Sequence, residues 1–467
     1  MEPKRSARRH VHPSMSARED QTLNPKLIRS YDLRGVVDRD LTGADARALG
    51  LSYAAQLAPA ARVAVGYDGR LSSPALEAAL VGGLVAGGLS VARIGQGPTG
   101  MLYFAVHERG LDGGIMITGS HNPADQNGFK LLLGKDPVFG DRLKALAARP
   151  GVPRPDGSAE AIDVAAAYVE RLAGVAQGAP ALKIGWDPGH GATGDILARL
   201  IERLPGEHHV INGAVDGTFP GHHPDPSVPE NLAELQELVR ARGLDLGIAF
   251  DGDGDRIGVV DATGRIVWAD QLILFLAQAF FPATIVADVK SSRVLFDGIA
   301  AGGGRPVMAP SGYVLIREAM LRENAPMAGE MSGHIFFADD WHGTDDALHV
   351  AMRLLARAEA LPLFVAGLPQ TVATPELRLP CPDERKAAVL AAVAAGLDEA
   401  DIDRTDGLRV STADGWWLLR SSGTEPKLTA RIEAWDAAGL ERMRGELFER
   451  LERADLPSPL RGESDSA

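Results

Sequence analysis

Three aspartates, Asp251, Asp253 and Asp255, alternate with single glycines in one short stretch of the chain. Such a turn can present several carboxylate oxygens to one cation, and hard oxygen ligands suit Mg²⁺ or Ca²⁺. An EF-hand loop is excluded, because it requires Gly and Glu at the positions where this chain has Arg256 and Ala262. A solvated acidic turn is the alternative, which the mutual repulsion of crowded carboxylates disfavours. The stretch therefore predicts a Mg²⁺ site with open positions that assist phosphoryl transfer.

A serine occupies the loop Thr118-Gly-Ser120-His121-Asn122-Pro, directly after an apolar stretch that is typical of a strand. A serine at a strand end can act as a nucleophile. The hydrolase pattern G-x-S-x-G is absent, since Asn122 occupies its last position, which argues against a serine hydrolase. An ordinary Asn-Pro turn is the alternative interpretation of this loop alone. Lys130 follows in the same segment and offers a cation or a general acid/base.

A third loop contains Glu330, Ser332 and His334 in the pattern Gly-Glu-Met-Ser-Gly-His. The carboxylate of Glu330 and the hydroxyl of Ser332 could accept and donate hydrogen bonds to adjacent hydroxyls of a sugar. By itself the hexapeptide is typical of a surface turn, so its interpretation depends on the other loops.

A fourth loop, with Arg420, Ser422, Gly423 and Thr424, has the composition of a phosphate-binding nest. Glycine lets the backbone approach an anion, hydroxyl groups donate hydrogen bonds, and arginine binds phosphate through two N–H groups. The Walker pattern is absent, so an NTPase loop is excluded. A serine-rich hairpin loop without a ligand is the alternative.

The chain is acidic overall, with 48 Lys and Arg against 62 Asp and Glu and a formal net charge of −14. Such a surface repels phosphate backbones, which argues against a general nucleic-acid binder. Positive charge for an anionic ligand must therefore be gathered locally. Arg34, Arg256 and Lys290 could supply it, although each residue alone is as typical of a surface ion pair.

Three segments repeat one pattern: an apolar strand ending in aspartate (Asp68, Asp187 or Asp288), a polar turn, a helical stretch and a further β-rich run. This pattern predicts a β-turn-α-β unit. The copies lie about 100–120 residues apart, which favours three related α/β domains over a solenoid with its shorter period. After Pro382 the pattern changes to a helix, paired strands and a closing helix, which predicts a smaller α+β domain. We expect one loop from each domain to meet in a central cleft.

The length of 467 residues suits two to four domains, and 45% apolar with 24% charged residues is typical of a soluble globular protein. No apolar run approaches the ~20 residues that span a bilayer, and no secretory segment is recognisable. The sole cysteine, Cys381, excludes an internal disulfide, so we expect a cytoplasmic chain that starts at Met1 or Met15. The predicted divisions are disordered tails at 1–20 and 457–467 and domains at 21–172, 173–265, 266–373 and 374–456.

Together and in this order, the four loops resemble those of the α-D-phosphohexomutase superfamily, from Tyr31 to about Glu433. The stretch Tyr-Asp-Leu-Arg-Gly at Tyr31 and the pattern Gly-Glu-Met-Ser-Gly-His resemble the bacterial phosphomannomutase/phosphoglucomutase branch. A phosphoglucosamine mutase usually opens with an FGTDGIRG-like stretch and has Gln in place of Met in the third loop. The resemblance implies three similar α/β mixed-sheet domains and a C-terminal α+β domain like the TATA-binding protein, in a heart shape around a central cleft.

The resemblance also implies roles for single residues. Ser120 would be the phosphoserine that gives and takes the phosphoryl group, sharing one Mg²⁺ per chain with the three aspartates. Lys130, His121 and Arg256 would take part in catalysis, with Lys130 a candidate general acid/base. The sugar would be bound by Glu330, Ser332, His334, Lys290 and Tyr313. The second phosphate of the substrate, which is not transferred, would be bound by Arg420, Ser422, Gly423, Thr424 and Arg34.

One stretch departs from the family pattern. Related mutases often carry Thr-Gly-His-Ser in the third domain, and the histidine reaches the substrate. This chain has Ser311-Gly-Tyr313-Val there. Tyrosine can donate a hydrogen bond but is a much weaker base near neutral pH. Which residue assists proton transfer or sugar choice in its place therefore stays open.

The expected activity is a reversible 1,6-phosphoryl shift on mannose and glucose phosphates, through phospho-Ser120 and a hexose 1,6-bisphosphate that would also be the activator. A phosphoglucosamine mutase and a hexose bisphosphate synthase or slow phosphatase stay open as alternatives. A non-catalytic sugar-phosphate sensor is disfavoured, because the serine and the aspartate loop are both intact. The sugar preference, the oligomeric state and the phosphorylation of Ser120 stay open.

Overall fold

The computed structural model describes residues 23–422 and 426–456. The predicted tails at 1–20 and 457–467 and the loop residues Gly423 and Thr424 lie outside the described residues. Four separate sheets follow one another along the chain. Within the described part of the chain, every helix is too short or too polar to cross a membrane.

The first domain contains, in chain order, β1 (Leu33–Val36), α1 (Gly43–Ala54), β2 (Arg62–Tyr67), α2 (Ser73–Ala86), β3 (Ser90–Gln96), α3 (Thr99–Glu108), β4 (Gly113–Ile117), β5 (Gln126–Leu133), β6 (Asp136–Pro137), α4 (Gly140–Ala148) and β7 (Ser158–Ala161). Its sheet has the order β1-β5-β4-β2-β3-β7, with β6 beside β5. Strands β3, β2 and β4 are parallel, and β5 runs antiparallel to β4.

The second domain contains α5 (Ala165–Val175), β8 (Leu182–Asp187), α6 (Gly194–Ile201), β9 (Gly206–Val210), α7 (Ala233–Arg242), β10 (Leu246–Phe250), β11 (Ile257–Asp261) and β12 (Ile266–Val267). The third contains α8 (Ala269–Ala277), β13 (Thr284–Asp288), α9 (Arg293–Ala301), β14 (Arg305–Ala309), α10 (Tyr313–Arg322), β15 (Met327–Gly329), β16 (Ile335–Phe337), β17 (Thr344–Asp345), α11 (Ala347–Leu355) and α12 (Leu361–Ala366). Their sheets have the orders β9-β8-β10-β11-β12 and β14-β13-β15-β16-β17.

The three sheets share one arrangement, in which three parallel strands are followed by one antiparallel strand: β3-β2-β4-β5, β9-β8-β10-β11 and β14-β13-β15-β16. This confirms the prediction of three similar mixed-sheet domains. Ser120, Asp251 and Glu330 each follow the third strand of this set. Because the carboxyl ends of parallel strands meet at one edge of a sheet, the repeat places all three loops at equivalent edges.

The fourth domain contains β18 (Val372–Ala373), β19 (Leu377–Pro380), α13 (Asp383–Ala394), β20 (Ile402–Asp403), β21 (Leu408–Ser411), β22 (Gly415–Ser421), β23 (Lys427–Ala434) and α14 (Ala437–Arg453). Its antiparallel sheet has the order β18-β23-β22-β21-β20, with β19 also beside β23. Helices α13 and α14 pack together against this sheet. The predicted smaller α+β domain is therefore confirmed, and its β22–β23 hairpin carries the fourth loop.

The first three domains share one continuous apolar core, which includes Leu102, Trp186, Phe250, Phe337 and Leu348. Helix α5 contributes to this sharing, because it packs against α3, α6 and α11. The fourth domain has a core of its own, built from β21–β23 and the two helices. The shared core therefore holds the first three loops in one packed body, to which the fourth loop is attached separately.

Helices α1 and α2 cross so closely that glycine is required at the contact. A Cβ on Gly83 would lie 2.2 Å from the carbonyl oxygen of Arg47 and 3.1 Å from the Cα of Gly50. The adjacent Gly82 differs, because a Cβ there would meet only the terminal Nη1 of Arg47, at 3.1 Å.

Gly83→Ala should therefore lower the free energy of unfolding by about 1–3 kcal/mol, because neither backbone can move away. Urea unfolding followed by tryptophan fluorescence measures the change. Gly82→Ala is the matched control and should be neutral or slightly stabilising, since alanine favours the helix and the arginine side chain can shift. Equal losses in both variants would contradict the close helix crossing.

Candidate active site

Ser120 lies in a strained turn that several distant residues hold in place. Its φ of +48° is in the left-handed region, which is unfavourable for a residue with a side chain. The hydroxyl of Thr118 accepts from the amide of Ser120 at 2.7 Å, and Asp68 accepts from the amide of Gly119 at 3.0 Å. Buried Arg70 donates to four carbonyl oxygens of the loop, those of Ser120, Asn122, Pro123 and Gln126, at 2.6–2.9 Å.

The side chain of Ser120 faces the aspartate loop of the second domain. Its Oγ donates to Asp251 Oδ2 at 2.7 Å and lies 3.0 Å from Nδ1 of His121. A Cβ on Gly252 would lie 2.3 Å from the carbonyl oxygen of Ser120. The glycine between the first two aspartates is thus explained by the approach of the serine loop.

The aspartate loop folds back on itself through backbone amides. Asp251 Oδ1 accepts from the amides of Asp255 and Arg256, at 3.0 and 3.1 Å. Gly254 has a φ of +71°, which favours glycine at this turn. Asp253 Oδ2 accepts from the hydroxyl of Thr99 at 2.6 Å and belongs to a cluster that the first domain completes.

Three carboxylates converge in this loop with little solvent around them. Asp251, Asp253 and Asp255 are buried, and one oxygen of each lies within 4.8 Å of the others. Asp253 Oδ1 is buried without a hydrogen-bond partner among the described residues, and Asp255 Oδ1 faces the imidazole of His334 at 3.2 Å. Burial and the charges of Asp255 and Asp253 raise the pKa of Asp251 well above its usual value. A buried carboxylate oxygen without a partner, in a concentrated negative site, fits a hard divalent cation.

Lys130, at the antiparallel strand of the first domain, offsets part of this negative charge. Its Nζ lies 2.7 Å from Asp253 Oδ2 and also pairs with Asp255 Oδ2. Burial would lower the pKa of Lys130, but Asp253 and Asp255 outweigh it and raise the pKa well above the usual value. In this arrangement Lys130 retains its proton, which favours an electrostatic role over that of a base.

His121 has the opposite protonation behaviour. Burial and the positive charge of Arg256 lower its pKa well below the usual value. The imidazole is therefore neutral near pH 7 and a weak base, which favours a hydrogen bond between its Nδ1 and Ser120 Oγ over uptake of a proton.

The third loop joins the aspartate loop through His334. The His334 Nδ1 lies 3.0 Å from Glu330 Oε2 and 3.1 Å from Ser332 Oγ, while its Nε2 lies 3.2 Å from Asp255 Oδ1. Burial would lower the pKa of His334, but Asp255 and Glu330 raise it to about 10. His334 is thus a cation that neutralises two carboxylates. The amide of Gly312 donates to Glu330 Oε1 at 2.7 Å and fixes this carboxylate.

Tyr313 and Arg34 also lie in the cluster. The ring of Tyr313 packs edge-on against Tyr31, at a centroid distance of 6.2 Å, and lies 5.9 Å from the ring of His334. Lys130 Nζ is 5.6 Å from the Tyr313 centroid. Arg34 donates to the carbonyl oxygen of Gly119, beside Ser120.

Lys290 lies at the periphery of the site, and Arg256 lies in the aspartate loop itself. Lys290 Nζ lies 3.5 Å from Glu376 Oε2. Burial would raise the pKa of Glu330, but His334, the amide of Gly312 and Lys290 together lower it. Arg256 Nη1 lies 3.7 Å from Asp225 Oδ1, and its Nε lies 3.4 Å from Nε2 of His334.

The fourth loop is described only in part. Arg420 Nε donates to Asp406 Oδ2 at 2.8 Å, and the carbonyl oxygen of Ser422 accepts from Lys386 Nζ at 2.8 Å. Asp406 also accepts from the amide of Ser311, at 3.2 Å, which joins the fourth domain to the third.

Sequence reasoning missed several residues that support these loops. Asp68 and Asp288 end equivalent strands and accept from the amides of Gly119 and Met331 in the first and third loops. The repeated strand-terminal aspartate was the signal that could have identified them. Asp345 had no such signal. It lies beside Asp255 and His334, and burial together with the charge of Asp255 raises its pKa to about 7.

Three repeated mixed-sheet domains that bring a serine loop against an aspartate loop, with a fourth α+β domain beside them, are the architecture of an α-D-phosphohexomutase. Four family profiles agree. Phosphoglucomutase/phosphomannomutase alpha/beta/alpha domains I, II and III match residues 25–145, 166–264 and 268–362, and the C-terminal domain matches 376–450. The chain belongs to the phosphoglucomutase/phosphomannomutase family, which confirms the family and the enzyme class predicted from the four loops.

Individual relatives agree with the family assignment. The phosphomannomutase/phosphoglucomutase of Pseudomonas putida is 40% identical over 440 residues, which cover 90% of this chain and 94% of that protein. The protein of the same name from Pseudomonas aeruginosa is 39% identical over 466 residues, covering 96% and 100%. A crystal structure of a phosphoglucomutase/phosphomannomutase family protein from Burkholderia thailandensis superposes with a TM-score of 0.85 at 36% identity, covering 93% of this chain and 100% of that one.

The charge balance of the aspartate loop can be tested without any substrate. In the absence of divalent cations, Lys130→Gln should lower the free energy of unfolding by about 3–5 kcal/mol, because it leaves buried carboxylates uncompensated. Saturating Mg²⁺ should stabilise this variant more than the wild type. Urea unfolding with EDTA or with Mg²⁺ measures both effects.

Lys144→Gln is the matched control for Lys130→Gln, because Lys144 forms an exposed ion pair with Asp141 at 3.0 Å. It should change stability by less than about 1 kcal/mol, with or without Mg²⁺. A Lys130→Gln variant as stable as Lys144→Gln in EDTA would contradict the charge balance described above.

Proposed function

We propose that the chain catalyses the reversible transfer of a phosphoryl group between O1 and O6 of hexose phosphates, through phosphorylated Ser120 and a hexose 1,6-bisphosphate. The observation that carries the proposal is the contact between Ser120 and the aspartate loop. Ser120 Oγ lies 2.7 Å from Asp251 Oδ2 and 3.0 Å from His121 Nδ1. A hydroxyl beside a proton acceptor and a cation-binding loop has the surroundings of a phosphoryl carrier.

Glucose and mannose phosphates are the proposed substrates. The Pseudomonas relatives are named phosphomannomutase/phosphoglucomutase, and a relative from Neisseria gonorrhoeae, 38% identical over 440 residues, is named phosphoglucomutase. The aligned residues cover 90% of this chain and 96% of the Neisseria protein. The sugars differ at one hydroxyl, and Glu330 and Ser332 are the proposed partners of neighbouring sugar hydroxyls.

In the proposed forward reaction, O6 of a hexose 1-phosphate attacks the phosphorus of phospho-Ser120. The O6–P bond forms as the Oγ–P bond breaks, and the proton of O6 passes to a base. The bisphosphate then reverses its orientation in the cleft without leaving. Ser120 Oγ takes the phosphoryl group from O1, and O1 recovers a proton. The neutral imidazole of His121 lies 3.0 Å from Oγ and can hydrogen-bond to this oxygen as it leaves and later attacks.

Asp251, Asp253 and Asp255 would hold one Mg²⁺, together with a phosphate oxygen on Ser120. Bound there, the cation would stabilise negative charge on the phosphoryl oxygens. Lys130, which is buried, and Arg256, which is partly buried, add positive charge from the chain itself beside this loop. The bisphosphate is also the proposed activator, since it can phosphorylate Ser120 again if the intermediate escapes.

The phosphate that is not transferred is the proposed ligand of Arg420, Ser422, Gly423, Thr424 and Arg34. Substrate and product carry this phosphate at opposite ends of the sugar. A loop on a separately attached domain can accept both orientations better than a rigid pocket in the shared core. Closure of that domain would also exclude water from phospho-Ser120.

A ³¹P NMR time course tests the activity directly. Glucose 1-phosphate and mannose 1-phosphate are supplied separately with Mg²⁺ and a trace of the matching 1,6-bisphosphate. We expect the 6-phosphate signal to appear from both sugars. Conversion of neither sugar would reject the proposal, and glucosamine 1-phosphate would be tested next. Release of free bisphosphate in place of 6-phosphate would identify a bisphosphate synthase.

Ser120→Ala should abolish turnover, with a loss of roughly a thousandfold or more in kcat, because no other group can carry the phosphoryl group. Intact-protein mass spectrometry after incubation with glucose 1,6-bisphosphate should detect one added phosphoryl group on the wild type and none on this variant. Ser332→Ala is the matched control: it should impair turnover by weakening sugar binding and still acquire the phosphoryl group. Phosphoryl uptake by Ser120→Ala would refute the assignment of the carrier.

A further inference from the structure

Asp406 is a partly buried carboxylate between the third and fourth domains, and its position is closely fixed. It belongs to the turn between β20 and β21, in which the amide of Thr405 donates to Asp403 Oδ1 at 2.7 Å. Gly407 follows with a φ of +87°, and a Cβ there would lie 2.4 Å from the carbonyl oxygen of Leu419 and 2.8 Å from Cα of Arg420. The turn therefore rests directly on the backbone from which Arg420 extends.

A single oxygen of Asp406 connects two domains. Its Oδ2 accepts from Nε of Arg420 at 2.8 Å and from the amide of Ser311 at 3.2 Å. The side chains of Arg420 and Asp406 are only 14% and 18% exposed, so their attraction is weakly screened by solvent. Because this hydrogen bond uses Nε, the two terminal amino groups of Arg420 can address a phosphate as a pair.

The backbone segment that Asp406 contacts also orients the third loop. The amide of Gly312, next to Ser311, donates to Glu330 Oε1 at 2.7 Å. The hydroxyl of Ser311 donates to Asp288 Oδ2 at 2.8 Å, and Asp288 Oδ1 accepts from the amide of Met331 at 3.1 Å. Two hydrogen bonds and the covalent backbone of Ser311 and Gly312 thus connect Asp406, the partner of Arg420, to the carboxylate of Glu330.

We propose that Asp406 is a positioning residue, which orients Arg420 for the substrate phosphate and joins the phosphate-binding loop to the peptide that holds Glu330. The inference rests on the proposed function, since it assigns the phosphate to Arg420 and the sugar to Glu330. Asp406 touches neither ligand itself, because its carboxylate lies on the Nε side of the guanidinium and would repel a phosphate. Its effect passes through Arg420.

This role predicts a specific kinetic result. Without Asp406 the guanidinium loses its fixed orientation, so binding weakens in the ground state and in the transition state alike. Asp406→Ala should raise the KM for glucose 1-phosphate roughly ten- to a hundredfold, the range for a lost hydrogen bond to a charged group, and change kcat only a few-fold. Asp406→Asn retains one acceptor oxygen without the charge and should lie between this variant and the wild type.

A double-mutant cycle with Arg420→Ala tests whether Asp406 acts through Arg420. In the Arg420→Ala background, Asp406→Ala should raise the KM little further. The inference would be overturned if Asp406→Ala raised the KM by the same factor in the wild type and in Arg420→Ala. An unchanged KM in the Asp406→Ala single variant would also overturn it. Asp414→Ala is the matched control, because Asp414 Oδ2 accepts from Nε of Arg442 at 2.8 Å on the same domain outside the four loops. Its KM should equal that of the wild type.

Calorimetric titration with glucose 6-phosphate separates this inference from the proposed function. If the wild type converts no hexose phosphate, the proposed function fails, and the same cycle is read from dissociation constants. Non-additive losses of affinity would then support the role of Asp406, and additive losses or none would overturn it. Thermal unfolding verifies that each variant is folded, and Asp406→Asn replaces Asp406→Ala in the cycle if the latter is not.

Discussion

Three buried carboxylates within one turn constrain the rest of this structure. Burying an unpaired charge costs several kcal/mol, so Asp251, Asp253 and Asp255 require compensating charges within a few ångströms. Lys130 supplies one from the first domain, and His334 supplies another from the third. The second domain, to which the aspartates belong, supplies Arg256 but only part of the compensation, because Lys130 and His334 belong to its neighbours. The charge balance therefore exists only when three domains are packed together, which is what their continuous apolar core secures.

The fourth domain is joined by a smaller contact, in which a buried apolar cluster of Val289, Trp416 and Leu418 is accompanied by hydrogen bonds. Arg409 donates to the carbonyl oxygens of Val289 and Ser291 at 2.6 and 2.9 Å, and its guanidinium lies 3.8 Å from the ring centroid of Trp416. Glu433 accepts from the hydroxyl of Ser292 at 2.8 Å. A small junction of this kind permits more relative movement than an extended shared apolar core. In the proposed function, the reacting groups would lie on the packed body and the phosphate-binding loop on the more adaptable domain.

The repeat, the four loops and the family could be predicted from the sequence, because each depends on local patterns of residue type. A strand ending in aspartate, or glycines between carboxylates, has a recognisable spacing. The contacts that hold these loops in place could not be predicted. Arg70 holds carbonyl oxygens about 50 residues away, and the amide of Ser311 reaches Asp406 across 95 residues. Backbone groups carry no signal of residue type, and such pairs depend on domain packing that no local pattern specifies.

The departure at Tyr313 can now be interpreted physically. Its ring fills the space between Tyr31 and His334 and lies near the ammonium group of Lys130, so it contributes shape and a cation–π contact. Burial raises the pKa of its hydroxyl, which makes tyrosinate still less accessible. His334 and Lys130 are held as cations by the aspartates. His121, whose pKa burial lowers, is the neutral imidazole beside Ser120, where it is suited to hydrogen-bond with Oγ and not to hold a proton.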